Sequence, residues 1–207
     1  MVSQFLIPYR VIAKVQLPKA DGRSMQGTSR ATILATLCAL LTAPAFAALK
    51  PGAPAPAFKT QATLAGHPFT FELAAALKSG PVVLYFYPAA FTSGCTVEAH
   101  EFAEATEKFK ALGATVIGVS HDSIETLNKF SVSECRSKFP VASDVDLKIA
   151  KAYDSQLLFT SYSNRTSYVI TPDGKILYAY SALSPDKHVQ NTLAAVTQWR
   201  AQQQKGT

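Results

Sequence analysis

The distribution of apolar and polar residues predicts alternating strands and helices. Residues 81–87 (PVVLYFY) and 115–120 (TVIGVS) are short, largely apolar runs, which are typical of strands buried on both faces of a sheet. Between them, residues 98–112 carry large apolar side chains at helical spacing, and a glycine follows directly as a stop signal. Together the three segments predict a strand–helix–strand unit, whose two strands pair in parallel.

Further elements alternate on both sides of this unit. In chain order they are a β-hairpin over 57–73, a helix from 122 to about 135, a short strand at 140–142, a short helix over 147–153, strands over 166–171 and 175–181, and a closing helix over 185–203. The turn Pro172, Asp173, Gly174 predicts that the last two strands are antiparallel. We therefore expect an α/β protein with a mixed central sheet flanked by helices, which is the layout of the thioredoxin-like fold.

The N-terminal segment has the features of a targeting sequence. Residues 31–43 form an uncharged apolar run, Arg30 precedes it, and residues 45–47 (AFA) have the small side chains of a cleavage site. This pattern predicts a signal peptide that is cleaved after Ala47. An uncleaved membrane anchor is the second choice, because the run is shorter than the ~20 residues of a spanning helix.

The start of translation is a separate question. Met25 begins a segment of ordinary signal-peptide length, so we expect residues 1–24 to be an extension that precedes the working start. A genuine long basic segment before the apolar run is the alternative. In both cases residues 48–207 are expected to form a single domain that is exported to the periplasm or secreted.

Composition and charge narrow the class of protein. Of 207 residues, 48% are apolar and 16% are charged, as in ordinary globular proteins. The net charge is +6, but residues 1–47 hold five Lys and Arg against one acidic residue, while the rest of the chain is nearly balanced. No basic stripe remains to bind nucleic acid, so we expect no nucleic-acid partner.

Two cysteines remain after the predicted leader, Cys95 and Cys135. Cys95 lies where a strand gives way to a helix, so its sulfur is close to the unpaired N–H groups of the helix start, which favour the thiolate. Thr92, three residues earlier, can place a hydroxyl beside the sulfur, and Pro88 can shield it from bulk water. The spacing P-x-x-x-T-x-x-C therefore suits a reactive thiol.

Residues 88–95 (PAAFTSGC) resemble the active-site motif of the peroxiredoxins, and the flanking residues resemble the bacterioferritin comigratory protein branch, also called peroxiredoxin Q. The resemblance extends over about residues 51–200 and includes the pair Arg165 and Thr166. It implies a thiol-dependent peroxidase that reduces hydrogen peroxide and organic hydroperoxides through a cysteine sulfenic acid, in antioxidant defence. It implies no cofactor and no metal.

The resemblance also implies a role for each matching residue. Cys95 is the peroxidatic cysteine, Thr92 binds the peroxide through a hydrogen bond, and Pro88 shields the thiol. Arg165 favours the thiolate and holds the peroxide oxygens. Glu98 opposes the thiolate by its charge and is a candidate to orient Arg165. The implied partners are a peroxide and a thiol reductant, either a thioredoxin-like protein or a small thiol, and the implied state is a monomer or weak homodimer.

The sequence departs from the branch at the second thiol. Many members carry a resolving cysteine five residues after the first, where this chain has His100. Cys135 is the only internal candidate, and a disulfide with Cys95 would require local unwinding. Cys135 is equally well explained as a small buried apolar residue, in which case an external thiol resolves the sulfenic acid.

Other titratable residues have simpler explanations. The four histidines are scattered without metal-ligand spacing to Cys95. His100 could face the site, but a solvated helix face fits it better. The glutamates at 98, 101, 104 and 107 form a series that is typical of an ordinary acidic helix flank.

Three competing functions use the same fold. A thiol–disulfide oxidoreductase would need C-x-x-C, and a copper-handling protein would need two close cysteines with a distant histidine; neither pattern is present. A non-peroxidatic binding protein of the cell envelope predicts no role for Thr92 or Arg165, and the fold alone does not exclude it.

Overall fold

The computed structural model describes residues 48–205. The predicted leader and start codon lie outside these residues. The elements are β1 (Lys59–Leu64), β2 (His67–Glu72), α1 (Leu73–Leu77), β3 (Val82–Phe86), α2 (Ser93–Ala111), β4 (Thr115–Ser120), α3 (Ile124–Ser133), β5 (Val141–Ser143), α4 (Lys148–Ala152), β6 (Thr166–Ile170), β7 (Ile176–Ser181) and α5 (His188–Lys205).

The strands form one mixed sheet in the order β2-β1-β5-β4-β3-β6-β7. Strands β3, β4 and β5 are parallel, as the intervening helices require, whereas β6 pairs antiparallel with both β3 and β7. The hairpin β1–β2 completes the sheet through an antiparallel contact of β1 with β5. The predicted mixed central sheet is therefore confirmed.

Strand β3 shows why the sheet has two apolar cores. Val83, Tyr85 and Tyr87 face a core that α2, α3 and α5 cover, while the alternate residues face a second core with α1 and α4. Side chains of a strand alternate between faces, so a strand covered on both sides must be apolar throughout. Burying each large side chain contributes roughly 1.5–3 kcal/mol.

Two predicted helices needed correction in ways that affect the site, and one further helix was not predicted. Helix α2 begins at Ser93, earlier than the predicted residue 98, so Cys95 lies inside its first turn. Helix α3 begins after Ser123, whose Oγ accepts from the Thr126 N–H at 3.4 Å. Asp122 does not cap the helix, because its carboxylate accepts from the Ala90 N–H and from Ser120 Oγ. Helix α3 also ends at Ser133, which leaves Cys135 in the following turn. The short helix α1 was not predicted, since five residues are too few to show a helical period.

Within residues 48–205, no helix is both long and apolar enough to cross a membrane.

Candidate active site

Cys95 occupies the carboxyl edge of the sheet, where β3 ends and α2 begins. Its side chain is 1% exposed. Thr92 is the N-cap of α2, and the Thr96 N–H donates to the Thr92 carbonyl at 2.9 Å, which places Cys95 as the third residue of the first turn. N–H groups at these positions have no acceptor within a helix. The helix start therefore presents partial positive charge to the sulfur.

Arg165 reaches the same sulfur from the residue before β6. Its Nη2 lies 3.4 Å from Cys95 Sγ, its Nη1 donates to Glu98 Oε2, and its Nε donates to the Leu183 carbonyl at 2.9 Å. These partners fix the guanidinium fork in one orientation. Although burial opposes the charge, Glu98 and Cys95 raise the pKa of Arg165, so the side chain stays cationic.

Glu98 is completely buried, one turn after Cys95 on α2. The interpretation of residues 98, 101, 104 and 107 as a solvated flank was wrong for Glu98, because this residue faces β6 and α5 while Glu104 and Glu107 remain exposed. Burial raises the pKa of Glu98 to about 8, against the opposing effect of Arg165. Its pairing with Arg165 is the arrangement expected of an orienting residue.

Thr92 is exposed on the loop between β3 and α2. Its Oγ1 donates to the Ala89 carbonyl at 3.0 Å, and it makes no side-chain cap to α2. The hydroxyl proton is therefore directed into the loop, and the oxygen lone pairs are left to accept a hydrogen bond. The suggested contact between this hydroxyl and the Cys95 sulfur is not among the hydrogen bonds described.

The loop around Pro88 is held by main-chain contacts that sequence reasoning missed. Pro88 is half-buried, and its carbonyl accepts from His121 Nδ1 at 2.9 Å. Asp122 Oδ2 accepts from the Ala90 N–H at 2.8 Å, and Ser163 Oγ donates to the Tyr87 carbonyl at 2.7 Å. His121 and Asp122 directly follow β4, and this position at the carboxyl end of a neighbouring parallel strand is the signal that could have identified them.

His188 is a further buried residue of the site that the sequence did not reveal. It begins α5, it is 0% exposed, and its Nδ1 lies 2.8 Å from Ser167 Oγ and 3.6 Å from Glu98 Oε1. Burial lowers the pKa of His188 to about 4, so its ring is neutral. No pattern near residue 188 marks it, because its burial depends on packing between α5 and β6.

Cys135 lies in the turn after α3, and it is fully buried with a free thiol. Its N–H donates to the Phe130 carbonyl at 3.1 Å. Burial raises its pKa far above the ordinary range of a thiol. Cys95, Cys135 and Tyr85 all belong to the core that α2, α3 and α5 cover. The two thiols therefore share one apolar core but are not paired.

Two contacts, each between a basic and an acidic side chain, flank Cys135 and tie its turn to α2. His100 Nε2 lies 2.9 Å from Glu134 Oε2, and Arg136 Nη1 lies 3.1 Å from Glu104 Oε1. His100 is thus partly exposed and points to Glu134, as a helix-surface residue would. We refer to residues 134–138, with these two pairs, as the Cys135 turn.

Three partly exposed apolar side chains belong to segments that contact residues of the site. Phe91 is 49%, Tyr162 45% and Leu183 69% exposed. Phe91 belongs to the loop before Cys95, the Tyr162 ring packs on His121, and the Leu183 carbonyl binds Arg165. We call these three residues the apolar rim.

The arrangement suits a nucleophilic thiolate. The sulfur is buried, one guanidinium lies within contact, and Cys95 belongs to the first turn of α2, where the N–H groups have no helical acceptor, so this setting favours negative charge near the sulfur. Across residues 48–205, no group of three or more His, Cys, Asp and Glu side chains could hold a metal ion. A cavity of about 710 Å³ beside Trp199 is not lined by Cys95, Thr92 or Arg165.

Comparisons with known proteins agree with this geometry. The AhpC/TSA family model matches residues 51–179. Chloroplastic peroxiredoxin Q of Sedum lineare is 38% identical over 118 residues, which cover 56% of this chain and 63% of the relative. That of Triticum aestivum is 38% identical over 121 residues, which cover 58% and 55%. The chain thus spans between half and two thirds of the length of these curated relatives.

Solved structures give the same result. The crystal structure of peroxidoxin BcpB from Mycobacterium tuberculosis superposes with a TM-score of 0.66 at 31% identity and covers 72% of this chain and 97% of its own. Peroxiredoxin Q of Xanthomonas campestris has a TM-score of 0.60 at 27% identity, with 68% and 90% covered. These neighbours establish the thioredoxin-like fold. The chain belongs to the AhpC/TSA family, in its peroxiredoxin Q branch.

Proposed function

We propose that this chain is a thiol-dependent peroxidase that reduces hydrogen peroxide and organic hydroperoxides through a sulfenic acid at Cys95. The observation that carries the proposal is the Arg165 guanidinium, with Nη2 3.4 Å from Sγ at a helix N-terminus. A structural cysteine has no use for a buried cation that is itself fixed by Glu98 and a carbonyl.

The reaction needs charge stabilisation more than proton transfer. The Cys95 thiolate attacks one peroxide oxygen, an S–O bond forms, the O–O bond breaks, and the leaving oxygen takes a proton and departs as water or an alcohol. Negative charge moves from the sulfur to the leaving oxygen. Arg165 and the N–H groups of the first turn of α2 are donors fixed beforehand, so they stabilise this charge without reorganisation.

Thr92 is proposed to bind the peroxide. Because its hydroxyl proton is donated to the Ala89 carbonyl, its oxygen is left to accept from the peroxide O–H. This contact would orient the substrate while Arg165 binds the oxygens. Pro88 contributes by covering the loop side of the thiol.

The apolar rim supports organic hydroperoxides as substrates beside hydrogen peroxide. Phe91, Tyr162 and Leu183 expose apolar surface next to residues that bind the reacting atoms. An alkyl group of a hydroperoxide that contacts this surface loses contact with water, which favours binding in proportion to the buried area. A Leu183→Ser variant tests this, because it should weaken turnover of an alkyl hydroperoxide more than that of hydrogen peroxide.

Cys135 is proposed as the resolving thiol. Its attack on the sulfenic acid would form the Cys95–Cys135 disulfide and release water, and a thioredoxin-like protein or a small thiol would then reduce the disulfide. The shared core of the two thiols supports this role. The burial of Cys135 requires the Cys135 turn to open first, in agreement with the unwinding expected from the sequence.

Location and assembly remain parts of the proposal. The apolar run at 31–43 and the small residues at 45–47 support export to the periplasm or secretion. N-terminal sequencing of the protein recovered from cells tests cleavage after Ala47, and sedimentation of the purified protein tests the monomer or weak homodimer.

One experiment tests the central proposal. Peroxide consumption is followed with dithiothreitol as reductant for wild type, Cys95→Ser and Cys135→Ser, and the intact mass is measured after one equivalent of peroxide. We expect Cys95→Ser to be inactive and wild type to become lighter by two hydrogens. A gain of one oxygen instead would identify a one-cysteine enzyme that needs an external thiol. An active Cys95→Ser would overturn the peroxidase proposal and favour a binding protein.

A further inference from the structure

Glu98 contains a buried oxygen atom without a partner. Its Oε2 accepts from Arg165, but its Oε1 has no hydrogen bond within the described part of the chain, although the side chain is 0% exposed. An ionised carboxylate with one unsatisfied oxygen is costly in such a place. His188 Nδ1 lies 3.6 Å from this oxygen.

The hydrogen bonds of His188 define its tautomer. Its Nε2 lies 3.1 Å from the Ala182 carbonyl, which can only accept, so Nε2 carries the proton. In a neutral ring Nδ1 is then an acceptor, and Ser167 Oγ donates to it at 2.8 Å. Ser167 engages the single lone pair of Nδ1, and the unsatisfied Glu98 Oε1 lies 3.6 Å from the same nitrogen. Two acceptors face each other in a buried place, and one proton between them would remove the conflict.

The net charge of the site also favours a proton on Glu98. With Cys95 as thiolate and Arg165 as cation, an ionised Glu98 leaves the buried trio with one net negative charge. A protonated Glu98 leaves it neutral, and the whole charge of Arg165 then acts on the sulfur. Burial favours the neutral arrangement.

We propose that His188 is a positioning residue whose Nδ1 holds the Glu98 carboxyl in its protonated form near neutral pH, leaving the charge of Arg165 for the Cys95 sulfur. The proposal rests on the proposed function for its catalytic meaning, but the proton itself can be observed without turnover. The pKa of Glu98, raised by burial to about 8, agrees with this geometry.

The groups that face His188 come from several elements. Glu98 approaches from α2, Arg165 and Ser167 from β6 and the residue before it, and the Tyr180 ring from β7 with its centroid 4.7 Å away. Burial, and after it the charge of Arg165, lowers the pKa of His188 and so disfavours a second proton on the imidazole. The extra proton therefore belongs to Glu98.

The proposal makes predictions of opposite sign for two neighbours. His188→Leu removes the acceptor that stabilises the protonated carboxyl, so Glu98 should lose its proton at a lower pH. Ser167→Ala removes the hydroxyl that competes for the Nδ1 lone pair, so Glu98 should keep its proton to a higher pH. His188→Asn can place a carbonyl oxygen near the Nδ1 position and should restore most of the wild-type behaviour.

The experiment is an infrared pH titration of the purified protein. The carbonyl stretch of a protonated carboxylic acid, assigned by its loss in Glu98→Gln, is followed with increasing pH in wild type, His188→Leu, His188→Asn and Ser167→Ala. His67→Leu, at an exposed position on β2, is the matched control and should titrate as wild type does. The expected midpoints are lowest in His188→Leu and highest in Ser167→Ala.

Three results would overturn the proposal: no band lost in Glu98→Gln below the midpoint, the same midpoint in His188→Leu as in wild type, or shifts of equal sign in the two variants. If His188→Leu fails to fold, the midpoints of Ser167→Ala and His188→Asn are compared instead. A midpoint in Ser167→Ala that is no higher than in His188→Asn would then overturn the proposal. Because the band does not depend on peroxide, an inactive wild-type protein would contradict the proposed function without touching this result. In an active protein, Glu98→Gln should also abolish any fall of the peroxide rate above the midpoint of the band.

Discussion

Arg165 donates from Nη2 to Cys95 Sγ at 3.4 Å although 70 residues separate the two in the chain. The same guanidinium is held by Glu98 and by the Leu183 carbonyl. These partners fix the orientation of the forked guanidinium as well as the position of its charge.

Replacing Arg165 by lysine should reduce the second-order rate constant for hydrogen peroxide by about 10²–10³-fold. Lysine keeps the charge, but a single ammonium group cannot reach the sulfur, Glu98 and Leu183 together. Stopped-flow measurement of peroxide reduction checks this. Arg136→Lys, on the surface, is the control and should retain the wild-type rate constant. A rate constant for Arg165→Lys within a factor of two of wild type would mean that charge alone suffices.

Replacing Thr92 by valine should lower the rate with peroxide about ten- to hundredfold, which corresponds to the loss of one hydrogen bond to the reacting peroxide. Alkylation of Cys95 by iodoacetamide should be unchanged, because the Thr92 hydroxyl donates to Ala89 and not to the sulfur. Thr92→Ser, which keeps the hydroxyl, should behave like wild type. Equal losses of peroxide reduction and alkylation would instead show that Thr92 supports the thiolate.

Breaking the ion pairs of the Cys135 turn should accelerate disulfide formation. Glu104→Gln and Glu134→Gln each weaken one partly exposed pair worth about 0.2–1 kcal/mol, so together they should raise the rate by about 2–30-fold if opening of the turn limits it. Quenched samples analysed by non-reducing mass spectrometry give the rate. Glu107→Gln removes the pair with Lys110 within α2 and serves as the control. An unchanged rate in the double variant would place the slow step elsewhere.

His188 should make the protein less stable in acid. The pKa of its ring is lowered to about 4, mainly by burial, so the unfolded chain binds a proton below about pH 6.5 that the folded protein accepts only near pH 4. The stability contributed by the neutral ring is present above pH 6.5 and is lost as the pH falls toward 4. The slope is at most about 1.4 kcal/mol per pH unit.

Urea unfolding of wild type and His188→Asn at several pH values measures this effect. The variant should lose less stability between pH 7 and pH 4 than wild type does, while His67→Asn should follow the wild-type curve. Parallel curves for wild type and His188→Asn would show that the ring is not buried in its neutral form.

Much of the fold could be predicted because it depends on local patterns. Strand β4 has the bounds expected from its apolar run, and the turn at residues 172–174 joins antiparallel strands as its residues require. The placement of Cys95 at a helix start followed from the change between a strand period and a helix period. These features are determined by residues that are close in sequence.

The electrostatics of the site could not be predicted in this way. Glu98 has the spacing of a surface series, and only the packing of α2 against α5 and β6 removes it from water. His188 is unremarkable in sequence, and its contacts with Ser167 and Glu98 join three separate elements. Burial of a charged group is a tertiary property, so a helical pattern alone gives no sign of it.

The loop before Cys95 is held in place by hydrogen bonds to its main-chain atoms. Ser163, His121 and Asp122 bind the Tyr87 carbonyl, the Pro88 carbonyl and the Ala90 N–H, and none of these contacts uses the side chains of Ala89, Ala90 or Phe91. Substitutions of those three side chains would therefore leave these main-chain contacts to the loop in place. Side chains at residues 89–91 can therefore be varied to alter the preference among hydroperoxides, while the hydrogen bonds that hold the loop beside the sulfur are kept. A library at these three positions is a suitable starting point.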